Sequence, residues 1–517
     1  MSPAQRCSVV SAASLADAPD WVRDAVREQP WRGGLEPCGE YVDLEGAVIS
    51  GALPTELSGT LYRNGPGRLR IGSSLKYSHW FDGDGQVTAI RLDGKDGRVA
   101  VSSKLVRTPR LEKQRGNSDE FRTRGAWTQA TPWWRNLAAL PTNPANTSIV
   151  RWNGKLLALC EGGPPMEIDP DTCDTVAAAP MGSPRLLGFG AHCKIDPEDG
   201  HLYNVGTQLP LLDLRVFKLD ASGKEVAAAT VNLGGEVAFV HDFALSSRHL
   251  AIFVVPYTAV SADTARAMVG LQSLGWSLQW QPERAVRCVV LRKSDLQTVF
   301  ECSVPTFSSY HTANAFEVGE ELHVQLAKLI GPRDQLEACF EDMYKAAFRR
   351  DQYNELHTYR FNIAARTFLG SQPTMEASSG SLPMDFPAVH PTWMGRQARY
   401  VYSTAFSGRA TFFDAIQKCD TVSGTATVRL CPPGEYPSEV TFVPRSSASG
   451  AHEDDGFILY LSYVAATHSS TLTVLDAARF DHDEPVCVVQ LPWHVPHGFH
   501  GWWDSGSRPD GLSAKHN

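Results

Sequence analysis

Short apolar or alternating runs, cut by Gly, Asp and Pro and recurring at near-even spacing from about Tyr41 onward, are what most restricts the fold of this chain. They include Thr60-Leu61-Tyr62-Arg63, Val87-Thr88-Ala89-Ile90, Val99-Ala100-Val101, Ser148-Ile149-Val150 and Lys155-Leu156-Leu157-Ala158-Leu159. The same text continues through His249 to Val255, Arg287 to Leu291, Arg399 to Ser403, Phe457 to Val464 and Thr471 to Val474. Such runs are strands, because period-2 or fully apolar segments of this length, bounded by turn residues, fit a pleated sheet. So many over roughly 450 residues predict an all-β fold, and the number favours a radially repeated propeller over a barrel or sandwich. No literal repeat motif is present, so blade count is not readable, and no Pro/Ser-rich linker divides the chain. The expected organisation is an N-terminal extension over 1–40 with a short helix starting at Asp20, then one β-propeller domain over 41–517.

Two segments interrupt the β rhythm. Leu336, Cys339, Phe340, Met343, Tyr344, Ala347 and Phe348 recur at helical spacing and predict an amphipathic helix over about Arg333 to Arg349. Met268, Val269, Leu271, Leu274, Trp276 and Leu278 form an apolar stretch with no charge between Arg266 and Glu283, which reads either as core filler or as an exposed patch for a lipid surface. Phe81-Asp82-Gly83-Asp84-Gly85 reads as a tight Asp-Gly hairpin turn.

Composition narrows the function classes. Hydrophobic residues at 43% with 20% charged residues suit a soluble chain with a sizeable core. A net charge of -9 gives no basic footprint for phosphate, so nucleic acid is not an expected partner. The eleven cysteines are odd in number, scattered and never spaced Cys-x-x-Cys, which favours a reducing compartment. No apolar run is long enough to span a bilayer. Met1 to Ala18 is rich in Ser and Ala with a single Arg, a composition shared with organelle transit peptides and insufficient to assign one. The expectation is an intracellular chain, cytoplasmic or plastid, soluble or peripherally attached to membrane, with no obligate protein partner indicated.

Hydrolase, zinc-protease and nucleotide motifs are missing: there is no Gly-x-Ser-x-Gly, His-Glu-x-x-His or Gly-rich phosphate loop. Histidine chemistry is what remains. His494, His497 and His500 fall within seven residues, and His192, His241 and His311 each lie beside a strand-like run. Imidazole is the commonest neutral metal ligand. From spacing alone, the C-terminal trio fits a surface cluster as well as a metal site.

The surrounding text resembles the carotenoid cleavage oxygenases, which include apocarotenoid oxygenases, plant carotenoid dioxygenases and the retinoid isomerase of the vertebrate eye. The resemblance covers nearly the whole chain. It runs from Leu57-Ser58-Gly59-Thr60-Leu61-Tyr62-Arg63-Asn64-Gly65-Pro66-Gly67 and His79-Trp80-Phe81-Asp82-Gly83-Asp84-Gly85 through Ala145-Asn146-Thr147 and Glu161-Gly162-Gly163. It then continues through Gly190-Ala191-His192, His241-Asp242-Phe243, His311 with Asn314 and Glu317, Ser438-Glu439, Glu453-Asp454-Asp455-Gly456 and Gly498-Phe499-His500-Gly501.

The resemblance implies a seven-bladed β-propeller with a helical and loop cap over one face and a ferrous ion, Fe(2+), on its axis. Carried over residue by residue, the ligands are His192, His241, His311 and His500, with His494 and His497 as bystanders. Four neutral imidazoles suit Fe(II) and leave two positions open. Three acids, Glu161, Asp385 and Glu439, would accept the outer N–H groups of ligating imidazoles. Asp385 departs from the family, which usually has Glu there, so its shorter arm needs a backbone shift or a bridging water. Thr147 matches the position whose methyl crowds one open site.

The implied activity is dioxygen-dependent cleavage of a C=C bond in a carotenoid or apocarotenoid, with no catalytic side chain beyond the iron centre and no organic cofactor. Two alternatives lie within the family. Stilbene cleavage would need a Lys where Cys160 stands and a Tyr where Pro109-Arg110-Leu111 stands; retinoid-type isomerisation would proceed without cleavage. A non-catalytic binding propeller is the alternative from outside it. Contact with a peripheral membrane surface through Met268, Leu271, Leu274 and Trp276 is a further expectation, since related enzymes carry an apolar patch at the tunnel mouth.

Overall fold

A computed structural model describes residues 20–71, 75–116, 120–209, 213–234, 237–238, 240–259, 261–330, 353–445 and 452–506. The amphipathic helix expected near Arg333 to Arg349 and the Met1 to Ala18 segment lie outside the described residues. Among the described residues, seven antiparallel sheets of four or more strands stand in sequence order, which is the seven-bladed propeller that the resemblance implied. The second blade runs from Ser148–Trp152 outward through Lys155–Leu159 and Met166–Ile168 to Thr175–Ala178. The fifth runs in the same sense from Ser309–Val318 to Thr367–Pro373.

The ring is closed by chain ends exchanged between its first and last blades. Tyr41–Glu45 pairs with Arg98–Leu105 in the first blade, while Ala47–Gly51 pairs with Cys487–Gln490 in the seventh. From the other end, Gly501–Asp504 returns to pair with Ser58–Arg68. Both ends are thereby tied by main-chain hydrogen bonds, which is how a propeller limits its exposed sheet edges.

Each blade is sandwiched between two others, so its central strands are buried on both faces and read as near-continuous apolar runs. Gly456–Val464 is the clearest case: every residue but the last is buried. Leu459, Leu472, Val474 and Val489 of the seventh blade pack with Leu61, Ile90 and Val101 of the first in one cluster. Phe253, Phe307, Tyr359 and Phe361 fill the gap between the fourth and fifth blades, with Phe307 and Tyr359 centroids 4.6 Å apart.

An insertion in the fourth blade, between His249–Val254 and Val286–Arg292, builds part of the cap. It contains the helix Ser261–Met268 and the paired strands Tyr257–Ala259 and Leu278–Trp280, to which Val237–Ala238, from before the blade, adds a third strand. Arg124 locks it to the neighbouring loop: one guanidinium nitrogen donates to the Ala267 and Gln272 carbonyls at 2.7 and 2.8 Å, the other to Ala139 O at 2.7 Å.

The Asp-Gly turn expected at residues 81–85 is absent. Gly83 has φ -60 and Trp80–Asp82 is a short 3-10 turn, so no left-handed hairpin forms. The glycines are needed for close approach instead, since a Cβ at Gly85 would lie 2.2 Å from Ala145 O. Asp82 is a buried hub whose carboxylate accepts from the amides of Ala126, Trp127 and Thr128 at 2.9, 3.0 and 2.5 Å.

Candidate metal centre

Each blade delivers one residue to the same end of the axis. His192 lies two residues before Lys194–Ile195, His241 three before Ala244–Leu245, and His311 within Ser309–Val318; these are the innermost strands of the third, fourth and fifth blades. His500 immediately precedes Gly501–Asp504 at the first blade. The three remaining blades supply acids: Glu161 follows Lys155–Leu159, Asp385 lies in Met384–Ala388, and Glu439 sits between Glu435–Pro437 and Thr441–Pro444.

One ring nitrogen from each of His192, His241, His311 and His500 lies within 4.8 Å of the others. The outer nitrogens of three of them face carboxylates: His241 Nδ1 to Glu161 Oε1, His311 Nδ1 to Asp385 Oδ1 and His500 Nδ1 to Glu439 Oε1, each at 2.7 Å. A carboxylate can only accept, so each of these Nδ1 atoms carries the proton and each Nε2 turns a lone pair to the centre. His241 Nε2 then faces His192 Nε2 at 2.9 Å, close enough for both to ligate one ion. The donor set therefore fits a divalent metal ion with nitrogen ligands.

The electrostatics favour neutral imidazoles at His192 and His500 and ionised acids at Glu161 and Glu439. Burial presses the His192 pKa well below the ordinary imidazole value, and the other three imidazoles press the same way. His500 is lowered by burial despite Glu439 beside it. In His311 burial is outweighed by Asp385, and the pKa rises. Burial opposes ionisation of Glu161 and Glu439, yet His241 and His500 respectively hold both below the usual carboxylate range.

Asp385 reaches His311 directly, so the expected need for a bridging water does not arise. The backbone supplies the shift: the pairing register breaks between Asp385 and Ala388, and Phe386 has φ 51. This left-handed residue at a bulge is strained. It also turns its ring to 4.9 Å from that of His311. Asp385 is further fixed by Asn354 Nδ2 at 2.9 Å and the Phe386 amide at 2.8 Å. Thr147 stands beside His500, whose amide donates to its carbonyl at 3.2 Å, and its own hydroxyl is turned to Asn146 Oδ1 at 3.2 Å.

His494 and His497 are neither ligands nor a surface cluster. Both are buried, and their Nε2 atoms donate to Glu36 O and Trp31 O at 2.9 Å, clamping the N-terminal 3-10 segment Pro30–Leu35 to the C-terminal loop. Burial pushes both pKa values down to about 4, so they stay neutral. Several other polar residues of the recognised motifs are also structural. Asn64 bridges to Ala145 O and Ser148 O, Asn146 to Phe81 O and Gly83 O, and Glu453 accepts the amides of Arg399 and Tyr400.

Aromatic side chains with no role assigned from sequence cluster beside the histidines. Tyr310 lies 5.4 Å from His241, Phe81 6.3 Å from Tyr310, and Phe499 5.5 Å from Phe81. Further out, His79 contacts Phe81 at 4.7 Å and Trp276 at 6.3 Å, so ring contacts run from the cap to the histidines. Of the apolar cap stretch, Met268, Val269, Leu271 and Trp276 are exposed, whereas Leu274 is half-buried and Leu278 belongs to the core.

The sequence profile of the retinal pigment epithelial membrane protein family matches residues 35–505. An apocarotenoid-15,15'-oxygenase from Synechocystis is 32% identical over 92% of this chain and 96% of its own length. A carotenoid 9,10(9',10')-cleavage dioxygenase 1 from Pisum sativum is 28% identical over 90% of this chain and 87% of its own. The crystal structure of cobalt-substituted Synechocystis ACO superimposes with a TM-score of 0.81 at 31% identity, covering 92% of this chain and 98% of that one.

Proposed function

The chain belongs to the retinal pigment epithelial membrane protein family, the carotenoid cleavage oxygenases, and on that premise we propose that it is an Fe(II)-dependent dioxygenase that cleaves a C=C bond of a carotenoid or apocarotenoid into two carbonyl fragments. The observation that carries this is the four-imidazole cluster with three of its outer nitrogens held by carboxylates. When bound, ferrous iron supplies dioxygen activation, and the electrons for cleavage come from the alkene itself. His192, His241, His311 and His500 would hold the ion. Glu161, Asp385 and Glu439 orient three of those imidazoles and offset the ion's charge. Thr147, beside His500, would crowd one open position at the metal.

The polyene needs to be held and kept from water. Phe81, Tyr310, Phe386 and Phe499 provide an apolar, aromatic wall beside the histidines. Cys160, at the position where stilbene cleavers carry Lys, is a buried thiol that burial pushes up to about 12, so it offers no charge to a substrate phenol. That disfavours the stilbene reading, although a resveratrol cleavage oxygenase 1 from Aspergillus fumigatus is 26% identical over 93% of this chain. Iron-loaded protein given an apocarotenal and O2 should yield two shorter carbonyl compounds; a geometric isomer as sole product would overturn the cleavage reading.

The substrate reaches the site from a lipid surface. Trp134, Val269 and Leu271 are 59%, 50% and 60% exposed, an unusual display of large apolar side chains on one cap, and Arg124 fixes the two segments that carry them. The ring contacts from Trp276 through His79, Phe81 and Tyr310 lead from this cap to His241. Inserting each large side chain into the acyl boundary is worth roughly 1.5–3 kcal/mol, so a few suffice for reversible docking. Replacing Trp134, Val269 and Leu271 together with Ser should reduce co-sedimentation with liposomes at least tenfold and raise KM for liposome-held substrate. Turnover of detergent-dispersed substrate should stay near wild type. Unchanged liposome binding would exclude this cap as the docking face.

A further inference from the structure

We propose that Arg63 sets the charge of the metal centre at minus two and thereby tunes the bound ion toward its divalent state. The proposal rests on the reading that the four histidines hold iron. Arg63 is 3% exposed and pairs in register with Gly501 across the strands that close the ring. Its Nη1 contacts Glu439 Oε2 at 2.7 Å and its Nη2 donates to Phe499 O at 3.0 Å. The other oxygen of the same carboxylate accepts from His500 Nδ1 at 2.7 Å. A guanidinium thus sits one carboxylate away from a candidate ligand. Gly501 leaves room for it, since a Cβ there would lie 2.7 Å from Arg63 Cδ and 2.8 Å from Arg63 Nη1.

The hydrogen-bonded shell around the four neutral imidazoles contains three carboxylates, Glu161, Asp385 and Glu439, and among the described residues one guanidinium bonded to them. Three negative charges and one positive leave two negative, which balances a divalent cation. The nearby Lys194–Asp242 pair, at 2.9 Å, neutralises itself. Buried charges are weakly screened, so a fixed positive charge at this place disfavours a trivalent ion more than a divalent one. Arg63 does this through Glu439 without touching the ion. It would keep iron ferrous and resist loss of the enzyme to the ferric form in air.

The test is a potentiometric titration of anaerobically iron-loaded protein, followed by the ferric electron paramagnetic resonance signal, with iron content measured on each sample. Arg63→Met should shift the ferric-to-ferrous ratio at fixed potential at least tenfold toward ferric, a midpoint lower by about 59 mV for one electron. Arg63→Lys should stay near wild type. Glu439→Gln should move the midpoint the opposite way, and Arg63→Met with Glu439→Gln should return it toward wild type. A merely structural role would lower iron content without this pattern of signs. An unchanged midpoint in Arg63→Met, or a Glu439→Gln shift in the same direction as Arg63→Met, overturns the proposal. Should Arg63→Met fail to fold, Arg63→Gln, which keeps an N–H donor for Glu439 without the charge, is expected to lower the midpoint in its place, and an unchanged midpoint there overturns the proposal. Wild-type protein that takes up no iron would instead sink the metal reading itself.

Discussion

His500→Ala is expected to lose bound metal and all measurable cleavage, while His494→Ala, six residues earlier and also buried, keeps both. The two imidazoles face different tasks. His500 Nδ1 is held by Glu439 at 2.7 Å, which turns Nε2 to the point shared with His192, His241 and His311. Removing one of four nitrogen donors costs more than losing an outer-shell partner, which alone costs roughly 10–100-fold. His494 commits its Nε2 proton to Glu36 O at 2.9 Å, so its loss leaves a buried carbonyl unpaired and lowers stability by roughly 1–3 kcal/mol. The check is metal content per chain together with a denaturation midpoint. Metal retained in His500→Ala, or lost in correctly folded His494→Ala, would contradict the assignment.

Asp385→Ala should cost roughly 10–100-fold in metal affinity or activity, the usual penalty for losing an orienting carboxylate. Asp385 is the carboxylate that His311 Nδ1 meets, at 2.7 Å, and is itself located by Asn354 and the Phe386 amide. Its removal frees the imidazole to rotate and unpins the bulge at Phe386. It also removes a negative charge that helps balance the ion. Asp385→Asn should fall between wild type and Asp385→Ala, because an amide oxygen can still accept the Nδ1 proton while the charge is gone. Competition between the variants and a fluorescent chelator for Co(II) gives the affinities. Wild-type affinity in Asp385→Ala would show that His311 is oriented by packing alone.

How much of this was legible in the sequence follows from how far each signal travels along the chain. Strand rhythm is local, and it gave the all-β propeller without help, because blades buried on both faces write apolar runs such as Phe457 to Tyr463. Blade number is not local, since sheets are completed by strands from opposite ends of the chain, as Ser58–Arg68 is by Gly501–Asp504. The four histidines were separable from the other twelve only through the text around each, not by spacing. The resemblance also implied a direct partner acid for three of them but left Asp385 in doubt, because a side-chain length can be read from sequence and a compensating bulge cannot. Partners hundreds of residues apart leave no local trace. Arg63 with Glu439 and His497 with Trp31 are such pairs, separated by 376 and 466 residues. Asp82 and Gly85 were misread for the opposite reason: an Asp-Gly text usually marks a hairpin, but here the aspartate caps loop amides and the glycine admits a neighbouring carbonyl.

Coupling of a four-histidine iron centre to oxidative cleavage of a polyene is what we propose for this propeller. The most direct measurement follows dioxygen and products together in one vessel, with iron-loaded protein and an apocarotenal dispersed in detergent, using an oxygen electrode and chromatography. One O2 consumed per substrate lost, with two carbonyl products whose carbon chains together make up the substrate, is the predicted result. Substrate converted to an isomer without oxygen uptake, or cleavage at the same rate after the metal has been removed by chelation, would contradict it.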